Sequence, residues 1–341
     1  MNDSPFTRQL QGVRVLDISR VLAGPHCTAM LADLGADVIK FEVPEEGDDA
    51  RHLGPFLDGE SVYFGLINRG KRSVEIDFKN PADRQRFYEL VADADVVVEN
   101  FRPGVTQRLG IDFDSLKQHN PRLVYASISG FGQNGPLAKR PSYDIVAQAM
   151  SGIMSLTGFL DAPPVKVGPS VGDNYSGTYL ALGICMALYH RERTGVGCKL
   201  DVSMMDTLFS ILENAVVTYT VGNRIPQRAG NIDPGIAPFD SFTARDGTFV
   251  MGCGTDSLWE RLCDVMNMPE LLEDPRFATN QLRCDNYLPE LKEIIEKWSR
   301  KRCVAEIEEL LVEKGIPFGN ILSVDQAAEH PQIQARNMLW D

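Results

Sequence analysis

The stretch "GVRVLDISRVLAGPHCTAMLADLGADVIKFE" (Gly12 to Glu42) decides the fold of this 341-residue chain. Its β-rich run "VRVLDIS" (13–19) is followed by a helical run that opens near Pro25 and ends at Gly35. A second strand-like run, "ADVIKFE" (36–42), comes directly after the helix. This order predicts a β-α-β unit with two parallel strands.

The same alternation continues to about residue 130. The chain carries further strand-like runs at "SVEIDF" (73–78), "DVVVEN" (95–100) and "LVYASIS" (123–129). The helical run 80–94 has Asn80 as its expected N-cap, with Pro81 behind it. Buried strands that alternate with helices are typical of a parallel α/β sheet. We therefore expect a Rossmann-like large domain built on a parallel sheet.

The second half of the chain predicts a smaller α/β domain. Residues 143–219 are mostly helical in pattern, and a Gly/Pro-rich stretch follows them at 222–239. We expect four segments: a large Rossmann-like domain at 1–200, a linker at 201–228, a small α/β domain at 229–322 and a final segment at 323–341.

Composition restricts the partners. The formal net charge of −13 at pH 7 argues against nucleic acid or an anionic membrane as the main partner. The chain has no apolar signal core and no run approaching the roughly 18 apolar residues of a membrane span. Its seven cysteines lack metal-ligand spacing, which predicts free thiols and no metal site. We expect a soluble, cytoplasmic protein.

Basic residues gather at the ends of predicted strands despite the acidic total. One cluster precedes the strand at 73–78 and another follows the strand at 95–100: Arg69, Lys71 and Arg72, then Asn100, Phe101, Arg102 and Arg108. Each cluster is also consistent with a solvated surface turn. Two of them at successive strands favour an anionic, nucleotide-like ligand, because cations pair with phosphates and an aromatic ring stacks on a purine.

A nicotinamide-dependent enzyme is a weaker alternative. Gly24 is the one glycine in the turn from Asp17 to Pro25. The turn therefore lacks the G-x-G-x-x-G pattern that lets the backbone approach a pyrophosphate. Glu42 stands where a ribose-binding acid would stand, but the sequence favours a solvated acid at the end of a strand.

Two acids open predicted helices. Asp144 follows Tyr143 in "RPSYDIVAQAMSG", and Asp173 precedes a small-residue helix in "KVGPSVGDNYSGTYLALGI". Each is consistent with an acid that complements the positive end of its own helix. Asp173 has a second interpretation, as an ionised nucleophile held by helix-end N–H groups. Local chemistry alone favours the cap.

The motifs taken together resemble the class III CoA-transferase family of the CaiB/BaiF type, which includes formyl-CoA transferase, carnitine CoA-transferase and α-methylacyl-CoA racemase. The resemblance runs from about Gly12 to the end of the chain. Besides the opening stretch, it is carried by "NRGKRSVEIDFKNP", "DVVVENFRPGV", "SISGFGQNGP", "SYDIVAQAMSG", "GDNYSGTYLALGI", "GCKLDVSMMD" and "GTDSLWERLC".

The resemblance implies an acyl-CoA:carboxylate CoA-transferase with Asp173 as its covalent nucleophile. It implies that Tyr143 and Asp144 lie near the thioester, and that Gly252 and Gly254 form a loop that shields the intermediates from water. The substrates would be an acyl-CoA and a carboxylic acid, with no permanently bound cofactor. The residues that match CoA contacts of the family are Arg20, Ala23, Lys71, Arg72, Asn100, Phe101 and Arg108.

The family resemblance also implies an interlocked homodimer and CoA binding by the large domain at 1–200. It implies that residues 323–341 start a segment that returns to the large domain and is longer in the family than in this chain. Tyr143 stands where the racemases have histidine, and a phenol with a pKa near 10 is a poor proton shuttle at neutral pH. Leu22 stands where formyl-CoA/oxalate enzymes have glutamine, which favours a less polar acyl group. Cys253 interrupts a shortened glycine loop. A racemase or isomerase, or a non-catalytic CoA-binding paralogue, remains the alternative.

Overall fold

The structure is a computed structural model that describes residues 8–339. It contains two compact units. The first comprises residues up to 157 together with 164–227, and the second comprises 158–163 together with the residues from 228 onward. Each unit has hydrophobic cores of its own.

Strands and helices alternate through the first unit. Its strands are β1 (Arg14–Asp17), β2 (Asp37–Glu42), β3 (Phe56–Leu57), β4 (Glu60–Ser61), β5 (Arg72–Glu75), β6 (Val96–Glu99), β7 (Val124–Ser129) and β8 (Cys198–Ser203). Its helices are α1 (Ala23–Asp33), α2 (Val62–Ile67), α3 (Pro81–Ala92), α4 (Val105–Leu109), α5 (Phe113–Leu116), α6 (Asp144–Ser151), α7 (Ile153–Leu156), α8 (Val171–Thr194), α9 (Met204–Ser210) and α10 (Asn214–Thr220).

Six of these strands form one parallel sheet in the order β5-β2-β1-β6-β7-β8. Val15 pairs with Val38 on one side and with Val96 on the other. The chain therefore reverses its direction of winding between β1 and β6, and a doubly wound sheet binds its ligand at such a switch point. The Rossmann-like prediction is confirmed. Asn80 caps α3 as predicted, by accepting a hydrogen bond from Ala82 N.

The long helix α8 packs against α1 at a single glycine. A Cβ atom at Gly177 would lie 2.7 Å from the Ala23 carbonyl oxygen and 2.9 Å from the His26 ring. Only glycine permits this approach, because no real Cβ contact is that short. The close crossing brings the first turn of α8 beside the turn that follows β1.

Residues 201–220, which the sequence analysis assigned to the start of a linker, are regular structure within the first unit. They contain the end of β8 and the helices α9 and α10. Met204 and Leu208 are buried in the core that α1 and α8 share.

The second unit is built on a three-stranded antiparallel sheet of β9 (Phe239–Thr243), β10 (Thr248–Gly252) and β11 (Phe318–Asn320), in the order β11-β10-β9. Up to residue 339, where the description of this unit ends, its α-helices are α11 (Asp256–Met266), α12 (Asn280–Asp285), α13 (Lys292–Ser299), α14 (Val304–Glu313), α15 (Val324–Glu329) and α16 (Pro331–Ala335). Among residues 8–339, no helix has both the length and the apolar character to cross a membrane.

Candidate active site

A cleft of about 520 Å³ opens at the carboxyl ends of β1, β6 and β7. It therefore lies at the switch point of the sheet, where ligands of doubly wound folds bind. Seven of the twelve site residues predicted from the sequence line it, although they are far apart along the chain: Arg20, Ala23, Asn100, Phe101, Arg108, Tyr143 and Asp173.

Asn100 joins the two strands on either side of the switch point. Its side-chain oxygen accepts a hydrogen bond from Arg20 N at 2.8 Å, and its Nδ2 donates to the Arg20 carbonyl at 2.7 Å. Both the oxygen and the nitrogen of the Asn100 side chain thus bond to the backbone of the turn after β1. The Arg20 guanidinium in turn lies 5.8 Å from the centre of the Phe101 ring and 3.5 Å from Asp49 Oδ2. Asn100 therefore shapes the cleft by fixing this turn.

The cleft is cationic in a protein of net charge −13. The acids among its lining residues are Asp49 and Asp173. Four arginines also line it: Arg20, Arg102, Arg108 and Arg140. A concave surface of one sign concentrates ligands of the opposite sign. The cleft is therefore suited to a polyanionic ligand such as a nucleotide phosphate.

Arg140 is a residue that sequence reasoning missed. It lies in the loop after β7, three residues before Tyr143. The available signal was its position: a cation that follows a third strand of the same parallel sheet faces the same edge as the clusters after β1 and β6. Asp49 gave no such signal, because it belongs to a short helical turn, Asp49–His52, that only the tertiary fold brings to the cleft.

Asp144 binds the N-terminus of α8, the helix that carries Asp173. Its Oδ1 accepts hydrogen bonds from Gly172 N at 2.7 Å and, more weakly, from Asp173 N at 3.4 Å. Its Oδ2 accepts from Gln148 Nε2 at 2.6 Å. A Cβ atom at Gly172 would lie 2.9 Å from Asp144 Oδ1, so the glycine before Asp173 makes room for this carboxylate.

This arrangement corrects the sequence interpretation of Asp173. The N-cap of α8 is Ser170, and Asp173 lies in the first turn. No hydrogen bond to the Asp173 carboxylate is present within residues 8–339, because Asp144 occupies the free N–H groups at the helix end. The expectation that helix-end N–H groups hold the Asp173 carboxylate is therefore wrong.

The surroundings of Asp173 disfavour its charge. Burial, and to a lesser degree the neighbouring Asp144 carboxylate, raise the pKa of Asp173 to about 7. Burial also raises the pKa of Tyr63, and the charge of Asp173 contributes to that shift. A carboxylate with so high a pKa is a stronger base and nucleophile than an ordinary one, and about half of it is ionised at neutral pH.

The structure places Lys71 and Arg72 away from the cleft. The Lys71 ammonium is 2% exposed, lies 3.0 Å from Asp17 Oδ2 and donates to the Pro25 carbonyl and to Asn68 Oδ1. Arg72 pairs with Asp37 at the amino ends of β5 and β2, the opposite edge of the sheet. All three Lys71 donors are occupied, so Lys71 holds β5 and α1 to the end of β1.

Glu42 is neither a ribose ligand nor a solvated acid. It is 5% exposed, and its carboxylate accepts two hydrogen bonds from Arg51, at 2.7 and 2.8 Å, and one from Ser73 at 2.5 Å. These partners outweigh the effect of burial and lower the pKa of Glu42 to about 2. The sequence prediction of a solvated strand-end acid is wrong, because the segment after β2 folds back over it.

Gly252 and Gly254 lie in the second unit, at the end of β10. A Cβ at Gly252 would lie 2.7 Å from the Phe239 ring, so this glycine is required by packing. The amides of Gly252 and Cys253 donate to the Pro317 and Pro238 carbonyls. Gly254 is exposed, and a Cβ atom there would make only an ordinary contact, 4.0 Å from Ile236 Cγ2. Among Gly252, Cys253 and Gly254, it is therefore Gly254 whose backbone another molecule can approach closely.

Within residues 8–339 no group of three or more His, Cys, Asp or Glu side chains is placed to hold a metal ion. The charged groups that line the cleft are two carboxylates and four arginines. A doubly wound sheet with a cationic cleft at its switch point belongs to the broad class of α/β enzymes that bind nucleotide-containing ligands.

Comparison with known proteins narrows that class. The sequence profile of CoA-transferase family III matches residues 10–341. The chain is 48% identical over 329 residues to the acetyl-CoA:oxalate CoA-transferase of Acetobacter aceti, covering 96% of this chain and 84% of that protein. It is 39% identical over 353 residues to the succinate–glutarate CoA-transferase of Agrobacterium fabrum, covering 100% of this chain and 87% of that protein.

The fold agrees with these matches. The crystal structure of a CaiB/BaiF family protein from Brucella suis superposes with a TM-score of 0.86 at 40% identity, covering 98% of this chain and 89% of that chain. The chain belongs to CoA-transferase family III, and it is an enzyme of the class III CoA-transferase type. The resemblance stated from the sequence motifs is thereby confirmed.

Proposed function

We propose that this protein transfers CoA between an acyl-CoA thioester and a carboxylic acid, with Asp173 as the covalent nucleophile. The observation that carries the proposal is the Asp173 carboxylate itself. It lines the cationic cleft, accepts no hydrogen bond within the described residues 8–339, and has a pKa raised to about 7. A carboxylate freed from donors and disfavoured in its charged form is activated for attack on a carbonyl carbon.

The proposed reaction has four attacks. The Asp173 carboxylate attacks the thioester carbonyl, and CoA leaves as its thiolate to give an aspartyl–acyl anhydride. The thiolate attacks the Asp173 carbonyl of the anhydride, which releases the first acid and leaves an aspartyl-CoA thioester. The acceptor carboxylate attacks this thioester and expels the thiolate again. The thiolate then attacks the acceptor's carbonyl, which releases the new acyl-CoA and regenerates the Asp173 carboxylate.

The cleft has the charge pattern that such a substrate needs. CoA carries several phosphate charges, and the four arginines of the cleft offer bidentate partners for them. Phe101 lies among these arginines and provides a ring on which a base can stack. We assign Arg20, Phe101 and Arg108 to CoA binding, and Ala23 and Asn100 to the shape of the turn that CoA would contact.

We further infer that the acids exchanged are dicarboxylates with at least one methylene group. The relatives are named for acetyl-CoA and oxalate, and for succinate and glutarate. Arg102 and Arg140, the two cleft arginines not assigned to CoA, would pair with the second carboxylate. Leu22, which also lines the cleft, favours apolar methylene groups between the two carboxylates. Succinate and glutarate should therefore be better acceptors than oxalate, which can be checked by measuring kcat/KM for a panel of acids with succinyl-CoA as donor.

Trapping tests the covalent step. The protein is incubated with acyl-CoA and then treated with hydroxylamine or borohydride, and the modified residue is located by mass spectrometry. We expect a hydroxamate or an alcohol at Asp173, and none in Asp173→Asn. An active enzyme without a modification at Asp173, or with one at another acid, would refute the assignment. An assay for exchange of the α-proton in deuterated water distinguishes the racemase alternative.

A further inference from the structure

The turn that follows β1 contains a valine in an unfavourable backbone conformation. Val21 has a φ of +67°, in the left-handed region. A β-branched side chain seldom adopts this region, and such residues persist only where the surrounding structure holds them. The neighbours of Val21 in the turn, Arg20, Leu22 and Ala23, all line the cleft.

A buried ion pair holds the backbone of the turn at this valine and at Ser19, two residues before it. Asp48 Oδ1 accepts hydrogen bonds from Val21 N at 3.0 Å and from Ala50 N at 2.9 Å. Asp48 Oδ2 lies 2.7 Å from Lys40 Nζ, which donates to the Ser19 carbonyl at 2.9 Å. The side chains of Lys40 and Asp48 are each only 1% exposed.

The stability of the fold does not account for this pair. A buried ion pair must recover the desolvation of both charges, and an apolar pair of similar volume is often as stable. An ion pair does restrict the backbone to one conformation, because any other conformation of the turn would separate two buried charges. Here the two charges reach Ser19 and Val21, which flank Arg20, so the geometry that they impose is that of the turn.

We propose that Lys40 and Asp48 are positioning residues for substrate binding. Their ion pair holds Val21 in the left-handed conformation and thereby presents Arg20, Leu22 and Ala23 to the cleft. Neither charged group reaches the cleft itself. The change in substrate binding that this inference implies rests on the proposed function. The change in the conformation of the turn rests on the structure alone.

Asp48→Asn tests the inference. Asparagine keeps an oxygen for Val21 N but presents an amide instead of a charge to Lys40. We expect faster amide hydrogen exchange in a peptide covering residues 18–24, measured by mass spectrometry without substrate. We also expect KM for the acyl-CoA to rise on the order of tenfold, with kcat within about twofold of wild type, because the lost geometry serves binding.

Asp95→Asn is the matched control. Asp95 pairs with Arg191 at 2.8 Å and accepts a hydrogen bond from Arg14 N, at the amino ends of the same sheet. Its substitution also removes one charge from a largely buried pair, but at the edge opposite the cleft. Exchange in 18–24 and KM should stay at the wild-type values. The inference is overturned if Asp48→Asn leaves that exchange unchanged, or if both variants change exchange and KM equally.

Val21→Gly supplies an independent arm, since glycine adopts a left-handed φ without penalty. In the Val21→Gly background, Asp48→Asn should raise KM for the acyl-CoA by less than about threefold, because glycine adopts the left-handed conformation without help from the ion pair. An undiminished effect would contradict the inference. The exchange experiment needs no turnover, so a wild-type enzyme without transferase activity would refute the proposed function and leave this test intact.

Discussion

Two acids with the same local signal have different roles in this protein. Asp144 and Asp173 each occur in the first turn of a helix, and the sequence treated each as an acid serving its own helix. In the structure Asp144 crosses to the N-terminus of α8, and Asp173 is left to line the cleft. A helix N-terminus has few free N–H groups, so one carboxylate takes them and the other becomes available for chemistry.

The pH dependence of the reaction follows from this division. In the proposed mechanism Asp173 must lose its proton to attack, and its pKa is raised to about 7. We therefore expect kcat/KM to rise about tenfold per pH unit below pH 7 and to level off above it. Because the charge of Asp144 contributes to the raised pKa of Asp173, Asp144→Asn should move the midpoint of the profile to lower pH.

The profiles of wild type and Asp144→Asn are measured with the same substrate, so ionisations of the substrate cancel in the comparison. Asp206→Asn is the control, because Asp206 lies in the first turn of α9, where its side chain is exposed. An unchanged midpoint in Asp144→Asn would show that the Asp144 charge does not act on Asp173.

At the scale of elements, strand and helix positions were predictable where the pattern is local. The alternation of buried strands with helices identified β1, α1, β2, β6 and β7, and Asn80 marked the start of α3. The end of β5 was not predictable: its pairing with β2 stops at Glu75, while the strand-like alternation of apolar and polar residues continues to Phe78. Strand length depends on the partner strand, which the run of residues does not reveal.

The crossing of α1 and α8 positions the helix that carries Asp173. Gly177→Ala should lower the free energy of unfolding by about 2–4 kcal/mol, since its Cβ would meet the Ala23 carbonyl, a backbone atom that cannot rotate away. Gly183 lies in the same helix, where a Cβ would make an ordinary 3.5 Å contact with Leu200. Gly183→Ala should be neutral or stabilise by about 0.5–1 kcal/mol.

Urea denaturation of both variants measures the difference in the free energy of unfolding. Far-UV circular dichroism confirms that each variant retains its helices before the titration. Equal effects of the two substitutions would mean that the helices separate easily at Gly177, and that the crossing does not fix the position of Asp173.

At the scale of the whole molecule, α8 carries an exposed apolar stripe. Five large side chains that are 45–65% exposed follow one another at spacings of four and three residues, on one face of the helix: Tyr175, Tyr179, Leu182, Met186 and Tyr189. An apolar face of this length in contact with water is typical of a protein interface.

We therefore propose that the protein is a homodimer in which this stripe is buried. Light scattering coupled to size-exclusion chromatography should give twice the 37.8 kDa mass of one chain. Leu182→Asp should shift the mass toward that of the monomer, because a charge would be buried in the interface. Glu192→Lys, at an exposed site near the end of the same helix, should leave the dimer intact. A monomer at micromolar concentration would contradict the proposal.

The sequence by itself determined the parallel α/β architecture and the family, and it singled out Asp173, which lines the cleft, because alternation and ordered motifs are local properties of the chain. Only the tertiary structure decided which residues share the cleft. It buried Lys71 against Asp17, moved Arg72 to the far edge of the sheet and added Arg140 to the cleft. These outcomes depend on which groups face each other across strands distant in sequence, and pairing and desolvation of charges are set by that proximity.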